Sequence, residues 1–179
     1  RMITRIQRPD GQLVSQPSQI TEVFRIFYNE LYRGNGGDGY AVVGEQEPLM
    51  PIGTEEVVSA LKSLTSGKSP GKDGITGEML RIGADILGPV LTETFNECLA
   101  GHIPPHFGDG RIILLPKGGD STLAKNYRPI TLLPVVQKAF TGILNRRVAP
   151  ILDTERSINQ MGFRSDYSTL DGIFTLNLV

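Results

Sequence analysis

Two apolar runs in the middle of the chain, residues 111–117 and 127–133, flank a loop of residues 118–126 that contains Gly, Asp, Ser and Asn. Short aliphatic runs around such a connection are typical of a β-hairpin. A cation lies on each side of the loop, Lys117 before it and Arg128 after it. Because an ammonium is a movable point charge and a guanidinium donates to two phosphate oxygens at once, the pair suits a polyphosphate. The sequence therefore predicts a hairpin with an anion-binding tip.

Hydrophobic periodicity predicts that most of the remaining chain is helical. A second, small hairpin is indicated near the N terminus, where residues 3–8 and 12–14 flank the turn tripeptide Pro9-Asp10-Gly11. Apolar residues at helical spacing predict helices over 18–32, from 54 to a stop at Gly67, over 78–87 and 89–100, from 134 to about 150, and from 168 onward. The predicted fold class is α+β, mainly α-helical, with one or two β-hairpins.

Helix ends are predicted from capping residues and prolines. Ser18 and Thr54 are the expected N-caps of the first two helices, because their side chains can accept a hydrogen bond from the first turn. Pro150 is expected to interrupt the fifth helix. Ser168 and Asp171 have the spacing of a capping box at the start of the last helix.

The charges are distributed unevenly, although the net charge is only −1. Residues 111–147 contain seven Lys and Arg against one acid, Asp120, whereas the rest of the chain has 11 basic and 18 acidic residues. A basic stretch of this kind favours a nucleic-acid or nucleotide face. Solvated basic side chains that happen to cluster would give the same pattern, so both interpretations stay open.

The composition, with 39% hydrophobic and 21% charged residues in 179, is that of a folded globular domain. The lone Cys98 cannot form an internal disulfide, and its helical position predicts packing rather than a nucleophilic role. No apolar run reaches the length of a membrane span, and no signal-peptide pattern is present. The chain is therefore expected to be intracellular, in the nucleus or cytoplasm, with no membrane partner.

Three familiar site patterns fail in this sequence. Gly67-Lys68-Ser69 suggests a phosphate-binding loop, but Lys62 stands where that pattern needs a glycine, and a helix precedes it instead of a strand. His102 and His106 are separated by prolines that exclude helical spacing, so no metal site is predicted. A Gly-x-Ser-x-Gly nucleophile motif is absent. The glycine-bearing segment 66–75 suits close approach to a nucleic-acid backbone or a simple helix connection.

Several segments, taken in order, resemble the N-terminal part of reverse transcriptases from non-LTR (LINE-type) retrotransposons. The matching segments are Gly67–Ile75, Asn96 with Gly101–Pro104, Ile112–Lys117, Asn126–Leu133, Lys138, Ile143–Arg147 and Gln160–Arg164. The resemblance implies that residues 1–53 are the N-terminal extension. It also implies that residues 54–179 are the fingers subdomain, truncated before the palm. Lys72 stands where the family often has proline, and Phe107 lies near a usual tryptophan position.

The resemblance also implies roles for particular residues. Lys117 and Arg128 would face the triphosphate of the incoming dNTP, neutralising charge without performing chemistry. The residues implied near the RNA template are Lys68, Gly71, Asp73, Gly74, Gln160, Gly162, Phe163 and Arg164. For the first four of these, template contact and shaping of the loop remain alternatives.

Nucleotidyl transfer in this family needs palm carboxylates that hold two metal ions, normally with an Asp-Asp pair. This sequence contains no Asp-Asp pair. The resemblance therefore implies no catalytic residue and no cofactor in this chain, Mg²⁺ in the full-length parent polymerase, and an inactive isolated chain. RNA template, nucleic-acid duplex and, in the parent, dNTP are the expected partners. The alternatives are a non-catalytic nucleic-acid or protein interaction module derived from such an element, and a purely structural helical domain.

Overall fold

The computed structural model describes residues 3–33, 49–157, 160 and 167–177. It is a mainly helical α+β fold with two antiparallel two-stranded sheets, as the periodicity predicts. The elements in chain order are β1 (Ile6–Gln7), β2 (Leu13–Val14), α1 (Pro17–Tyr32), α2 (Thr54–Lys62), α3 (Gly77–Ile82), α4 (Ala84–Leu99), β3 (Arg111–Pro116), a 3-10 turn (Ala124–Asn126), β4 (Tyr127–Leu132), α5 (Val135–Glu155) and α6 (Thr169–Asn177). None of the described helices combines the length and the apolar character needed to cross a membrane.

Two hydrophobic clusters hold these elements together. The first is formed by α2, α3, α4 and α5 around the fully buried Phe95, with Ile52 added from the segment before α2. The second joins β1, β2 and α1 to the tip of the β3–β4 hairpin, where Ala124 and Tyr127 are buried against α1. The N-terminal elements β1, β2 and α1 therefore pack on the tip of the β3–β4 hairpin. The division of the chain into 1–53 and 54–179 stays a prediction.

The helical repeat of Ile20, Val23, Phe24, Phe27 and Leu31 predicts the buried face of α1, and the structure buries Tyr28 instead of Phe27 and Leu31. Ile20, Val23, Phe24 and Tyr28 are buried, whereas Leu31 is 61% exposed. The predicted cap Ser18 is also wrong, because the helix already begins at Pro17, after Gln16. Proline suits the first helical position, since its fixed φ is helical and its missing N–H would have no partner there.

The ends of α2 are also shifted from their predicted positions. Gly53, not Thr54, is the N-cap, and no side chain caps this helix. The helix ends at Lys62 rather than at Gly67.

The predicted helix break at Gly88-Pro89 is wrong, because α4 runs through both residues and the break lies at Gly83. A Cβ on Gly88 would lie 2.5 Å from Cγ2 of Val58, so glycine at this position allows α4 to pack closely on α2. Pro89 removes a hydrogen bond to the carbonyl of Asp85, and both residues are exposed. Water can therefore satisfy the freed carbonyl.

Pro150 likewise does not interrupt α5, which continues to Glu155. The carbonyl that loses its partner belongs to Arg146, and both Arg146 and Pro150 are exposed to solvent. The capping box at Ser168 is confirmed. The Asp171 Oδ2 accepts from the Ser168 N–H at 2.6 Å, and the Asp171 N–H donates to Ser168 Oγ at 3.4 Å.

Candidate nucleotide and nucleic-acid interface

The register of the β3–β4 hairpin determines which side chains share a face. Leu115 pairs with Arg128, and the Lys117 N–H donates to the Asn126 carbonyl at 2.8 Å, which extends the ladder by one pair beyond β3. Because directly opposed residues point to the same side of a sheet and side chains alternate along each strand, Lys117 and Arg128 are diagonal neighbours on one face. We call this the cationic face. It comprises Arg111, Ile113, Leu115, Lys117, Arg128, Ile130 and Leu132.

The same alternation explains why the hairpin tolerates two prolines. Since the Lys117–Asn126 and Leu115–Arg128 pairs occupy hydrogen-bonded positions, Pro116 and Pro129 fall at positions whose backbone groups point away from the partner strand. Proline at such a position removes no hydrogen bond from the ladder. The strand can therefore carry Arg128 next to a proline without losing its register.

Both cations at the tip are exposed. The Lys117 ammonium donates to the Lys125 carbonyl at 3.1 Å, which ties it to the 3-10 turn. Within residues 3–33, 49–157, 160 and 167–177, no carboxylate lies within 4.0 Å of either Lys117 or Arg128. The tip thus presents positive charge that no described acid neutralises.

Asp120, the one acid of the loop, stabilises the conformation of the loop through hydrogen bonds. Its Oδ1 accepts hydrogen bonds from the Thr122 N–H at 2.8 Å and from the Thr122 hydroxyl at 2.7 Å. These bonds favour the carboxylate and hold the pKa of Asp120 below its usual value. The Asn126 amide closes the loop by donating to the Asp120 carbonyl at 2.8 Å.

The N-terminal elements cover the face of the hairpin opposite the cations. Tyr127 and Leu114 belong to that opposite face by register. Tyr127 is buried in the cluster that includes α1, and Leu114 packs against that cluster. The Tyr28 hydroxyl donates to the Tyr127 carbonyl at 3.0 Å in a buried hydrogen bond. This contact could not be predicted from local sequence pattern, because Tyr28 and Tyr127 lie 99 positions apart.

The segment between α2 and α3 holds four predicted template residues. Lys68, Asp73 and Gly74 are exposed, whereas Gly71 is buried. Asp73 accepts from the Ile75 N–H at 3.2 Å, and Gly74 has a φ of 73°, a conformation that favours glycine. The geometry therefore gives Asp73 and Gly74 parts in the turn, and Lys68 is the exposed cation among these four residues.

Gly71 lies against the backbone that joins β4 to α5. A Cβ at this position would lie 2.7 Å from the Pro134 nitrogen and 2.9 Å from the Leu133 carbonyl carbon. Neither is the movable end of a side chain, so the backbone itself would have to shift. Glycine here allows the segment to pack onto the base of the hairpin.

We expect Gly71→Ala to lower the free energy of unfolding by about 1–3 kcal/mol, because overpacking against backbone cannot relax locally. Chemical denaturation of the purified chain measures the loss. Gly142→Ala is the matched control: a Cβ there meets no atom within 4 Å, and alanine in the middle of α5 should be neutral or slightly stabilising. Equal stability of the two variants would contradict the packing role of Gly71.

The second predicted template segment, Gln160–Arg164, is only partly described. Gln160 is exposed and its N–H donates to the Ser157 carbonyl at 3.0 Å. Gly162, Phe163 and Arg164 lie outside the described residues, so their predicted roles stay predictions.

The basic stretch 111–147 divides into exposed and structural cations. Arg147 binds Glu56 through two hydrogen bonds of 2.9 and 2.6 Å, and it also donates to the carbonyls of Met50 and Pro51. It therefore fastens the segment before α2 onto α5. The sequence pattern counts Arg147 with the possible nucleic-acid face, whereas the structure gives it partners within the fold.

Cys98, His102 and His106 carry the thiol and imidazole groups that could serve as a nucleophile or as metal ligands. Cys98 is buried, and burial raises the pKa of its thiol, in agreement with the predicted packing role. His106 lies 2.9 Å from the Asp109 carboxylate. Across the described ranges, no three His, Cys, Asp or Glu side chains are grouped so that they could hold a metal ion.

Comparison with known proteins gives several relatives. The "uncharacterized 149 kDa protein" of transposon TX1 from Xenopus laevis is 32% identical over 90% of this chain and 14% of its own length. The RNA-directed DNA polymerase from mobile element jockey of Drosophila melanogaster is 30% identical over 68% of the chain and 14% of its own length. The Pol polyprotein of type-1 retrotransposable element R2 from Popillia japonica is 29% identical over 72% of the chain. The chain spans 14% to 17% of the length of these three relatives. No family model matches it.

Proposed function

Because this chain is related over most of its length to the reverse transcriptases of non-LTR (LINE-type) retrotransposons, we propose that it is the fingers and N-terminal part of an RNA-directed DNA polymerase. In this proposal the chain grips the template RNA and the triphosphate of the incoming dNTP. The observation that carries it is the placement of Lys117 and Arg128 on one face of the hairpin tip, with no carboxylate partner among the described residues.

In the proposed complex, Arg128 donates two parallel hydrogen bonds to phosphate oxygens, and Lys117 adds a positive charge beside them. Both side chains lower the electrostatic cost of bringing a polyanion to the hairpin, and neither transfers a proton or a phosphoryl group. Lys117 is tethered to the Lys125 carbonyl, so its ammonium is already held at the loop. This placement supports a binding role for the tip.

We assign the catalytic metal ions to another part of the parent polymerase. A two-metal nucleotidyl transfer needs several carboxylates around the same point. The donor set of the described residues does not fit that requirement, because no suitable cluster of acids is present among them. Mg²⁺ therefore enters the proposal only as a cofactor of the parent, and no step on this chain depends on it.

For the template, the proposal relies on Lys68, which is an exposed cation of its segment. Gly71, Asp73 and Gly74 act indirectly by keeping that segment folded against the hairpin base. Gln160, Gly162, Phe163 and Arg164 are proposed to run beside the template.

The test is Arg128→Ala in the parent polymerase. Losing a charge-assisted contact with phosphate should raise the KM for dNTP about tenfold or more, while the Kd for RNA changes less than about twofold. Arg111→Ala is the matched control, because it removes the same charge from the same cationic face at a greater distance from the tip. Arg111 lies four residues before Leu115, the cross-strand partner of Arg128, which is about 13 Å along the strand. Unchanged dNTP kinetics in Arg128→Ala would reject the triphosphate role.

A further inference from the structure

We infer that Tyr28 in α1 is a positioning residue for Arg128: its hydroxyl holds the peptide unit that precedes the arginine and so aims the guanidinium at the incoming triphosphate. This inference rests on the proposed function of Arg128. It gives the N-terminal helix a part in nucleotide binding, although α1 lies on the opposite side of the hairpin from the cations.

The first step concerns the Tyr127 carbonyl. Tyr127 pairs with Pro116 at a non-hydrogen-bonded position of the ladder, so its backbone carbonyl points away from β3. It needs a partner outside the sheet, because an unpaired buried carbonyl is unfavourable. The Tyr28 hydroxyl is that partner, at 3.0 Å and in a buried position. Burial raises the pKa of the Tyr28 phenol, so the hydroxyl keeps the proton that it donates.

The second step is that this hydrogen bond acts on the backbone of Arg128. The Tyr127 carbonyl and the Arg128 N–H belong to the same planar peptide unit. Fixing the direction of the carbonyl restrains the plane of that unit and so restricts the direction in which the Cα–Cβ bond of Arg128 leaves the strand. Because no described acid holds the guanidinium, the restraint on its position comes from the backbone through the base of the side chain.

Further contacts hold the Tyr127 side chain against the same helix. Phe24 packs edge-on against the Tyr127 ring, with ring centroids 5.2 Å apart. The Tyr127 hydroxyl donates to the Ser121 carbonyl at 2.7 Å, which connects the start of β4 to the loop. Tyr127 is therefore held at its carbonyl, its ring and its hydroxyl.

The other side of the loop is also tied to the N-terminal hairpin. The Gln7 N–H of β1 donates to the Thr122 carbonyl at 2.7 Å. Lys117 is tethered to the same loop through the Lys125 carbonyl. The N-terminal elements therefore contact the backbone near both cations, on the side of the hairpin opposite their side chains. These contacts restrain the loop and the first residues of β4.

The experiment is Tyr28→Phe, which removes one hydroxyl and retains the ring. In the parent polymerase we expect the KM for dNTP to rise about threefold to tenfold, the effect of losing one buried hydrogen bond. The kcat and the Kd for RNA should stay within about twofold. A purely structural role would instead reduce the active fraction, and therefore the apparent kcat, without moving KM.

Tyr32→Phe is the matched control. Tyr32 stacks on Tyr28 in the same helix, with ring centroids 6.0 Å apart, but its side chain is 66% exposed. The same chemical change there should leave dNTP kinetics unaltered. In the 179-residue chain, amide hydrogen exchange over residues 117–128 should be faster in Tyr28→Phe than in wild type and unchanged in Tyr32→Phe.

The double variant Tyr28→Phe with Arg128→Ala separates the inference from the function on which it rests. If Tyr28 acts through Arg128, the double variant should have the same KM as Arg128→Ala alone, because the effects of coupled residues are not additive. A normal KM in Tyr28→Phe, together with a raised KM in Arg128→Ala, would overturn the positioning role and leave the proposed function standing. A normal KM in Arg128→Ala would overturn both.

Discussion

Replacing Phe95 with alanine is expected to lower the free energy of unfolding by about 3–5 kcal/mol, the range for removing a large aromatic side chain from a core. Phe95 has no exposed surface and lies at the centre of the cluster formed by α2, α3, α4 and α5. Its ring packs on Phe140, with ring centroids 5.1 Å apart. Because small domains are stabilised by only about 5–15 kcal/mol, this one substitution removes a large part of the total.

Denaturant titration of the purified chain measures the effect of Phe95→Ala as a lower midpoint with an unchanged slope. Phe174→Ala is the control, because Phe174 in α6 is 65% exposed and should contribute less than about 0.5 kcal/mol. If Phe95→Ala does not fold at all, Phe95→Leu retains most of the volume and should give a measurable loss of about 1.5 kcal/mol or less. Near-wild-type stability of Phe95→Ala would contradict the placement of this ring at the centre of the core.

The parts of the fold that depend on neighbouring residues were predictable from the sequence. The two apolar runs at residues 111–117 and 127–133, on either side of a loop with turn residues, predicted the β3–β4 hairpin, and its register places Lys117 and Arg128 on one face. The capping box at Ser168 was predictable for the same reason, because both partners lie within one helical turn.

The errors lie where distant contacts decide the outcome. Gly88 suggested a helix end, but its lack of a side chain serves the contact with Val58 in another helix. Gly71 was predicted either to contact the template or to shape its loop, and the backbone that it approaches in the fold is that of Leu133 and Pro134. A glycine has the same sequence signature in a turn, at a ligand and between packed elements, so only the fold distinguishes these uses.

In the candidate site, too, local features were predictable from the sequence and long-range contacts were not. Sequence pattern alone does not separate Arg128 from Arg147, since both are basic residues of one basic stretch. Arg128 keeps its guanidinium exposed at the hairpin tip, whereas Arg147 is engaged by Glu56, 91 positions away in the chain. Charge counting therefore did not separate the exposed cations of this stretch from Arg147, which is ion-paired within the fold.

Replacing Arg147 with alanine is expected to lower the free energy of unfolding by about 2–3 kcal/mol. Removing one partner of a fully buried ion pair costs about 3–5 kcal/mol. The side chains of Arg147 and Glu56 are 30% and 31% exposed, so solvent screening reduces that value. The substitution also leaves the carbonyls of Met50 and Pro51 without their donor. Arg146→Ala is the control, because Arg146 is exposed and should contribute less than about 0.5 kcal/mol.

The dependence of this effect on pH follows from the ion pair. Hydrogen bonds from Arg147 hold the pKa of Glu56 below its usual value, so the folded state binds the Glu56 proton less readily than the unfolded state. The resulting stabilisation is fully present above the ordinary glutamate pKa and is lost as the pH falls through the lower folded pKa. The stability difference between wild type and Arg147→Ala should therefore narrow below about pH 4.

At neutral pH the folded fraction of Arg147→Ala should bind RNA with the affinity of wild type. A weaker RNA affinity of that fraction would show that Arg147 belongs to the nucleic-acid face.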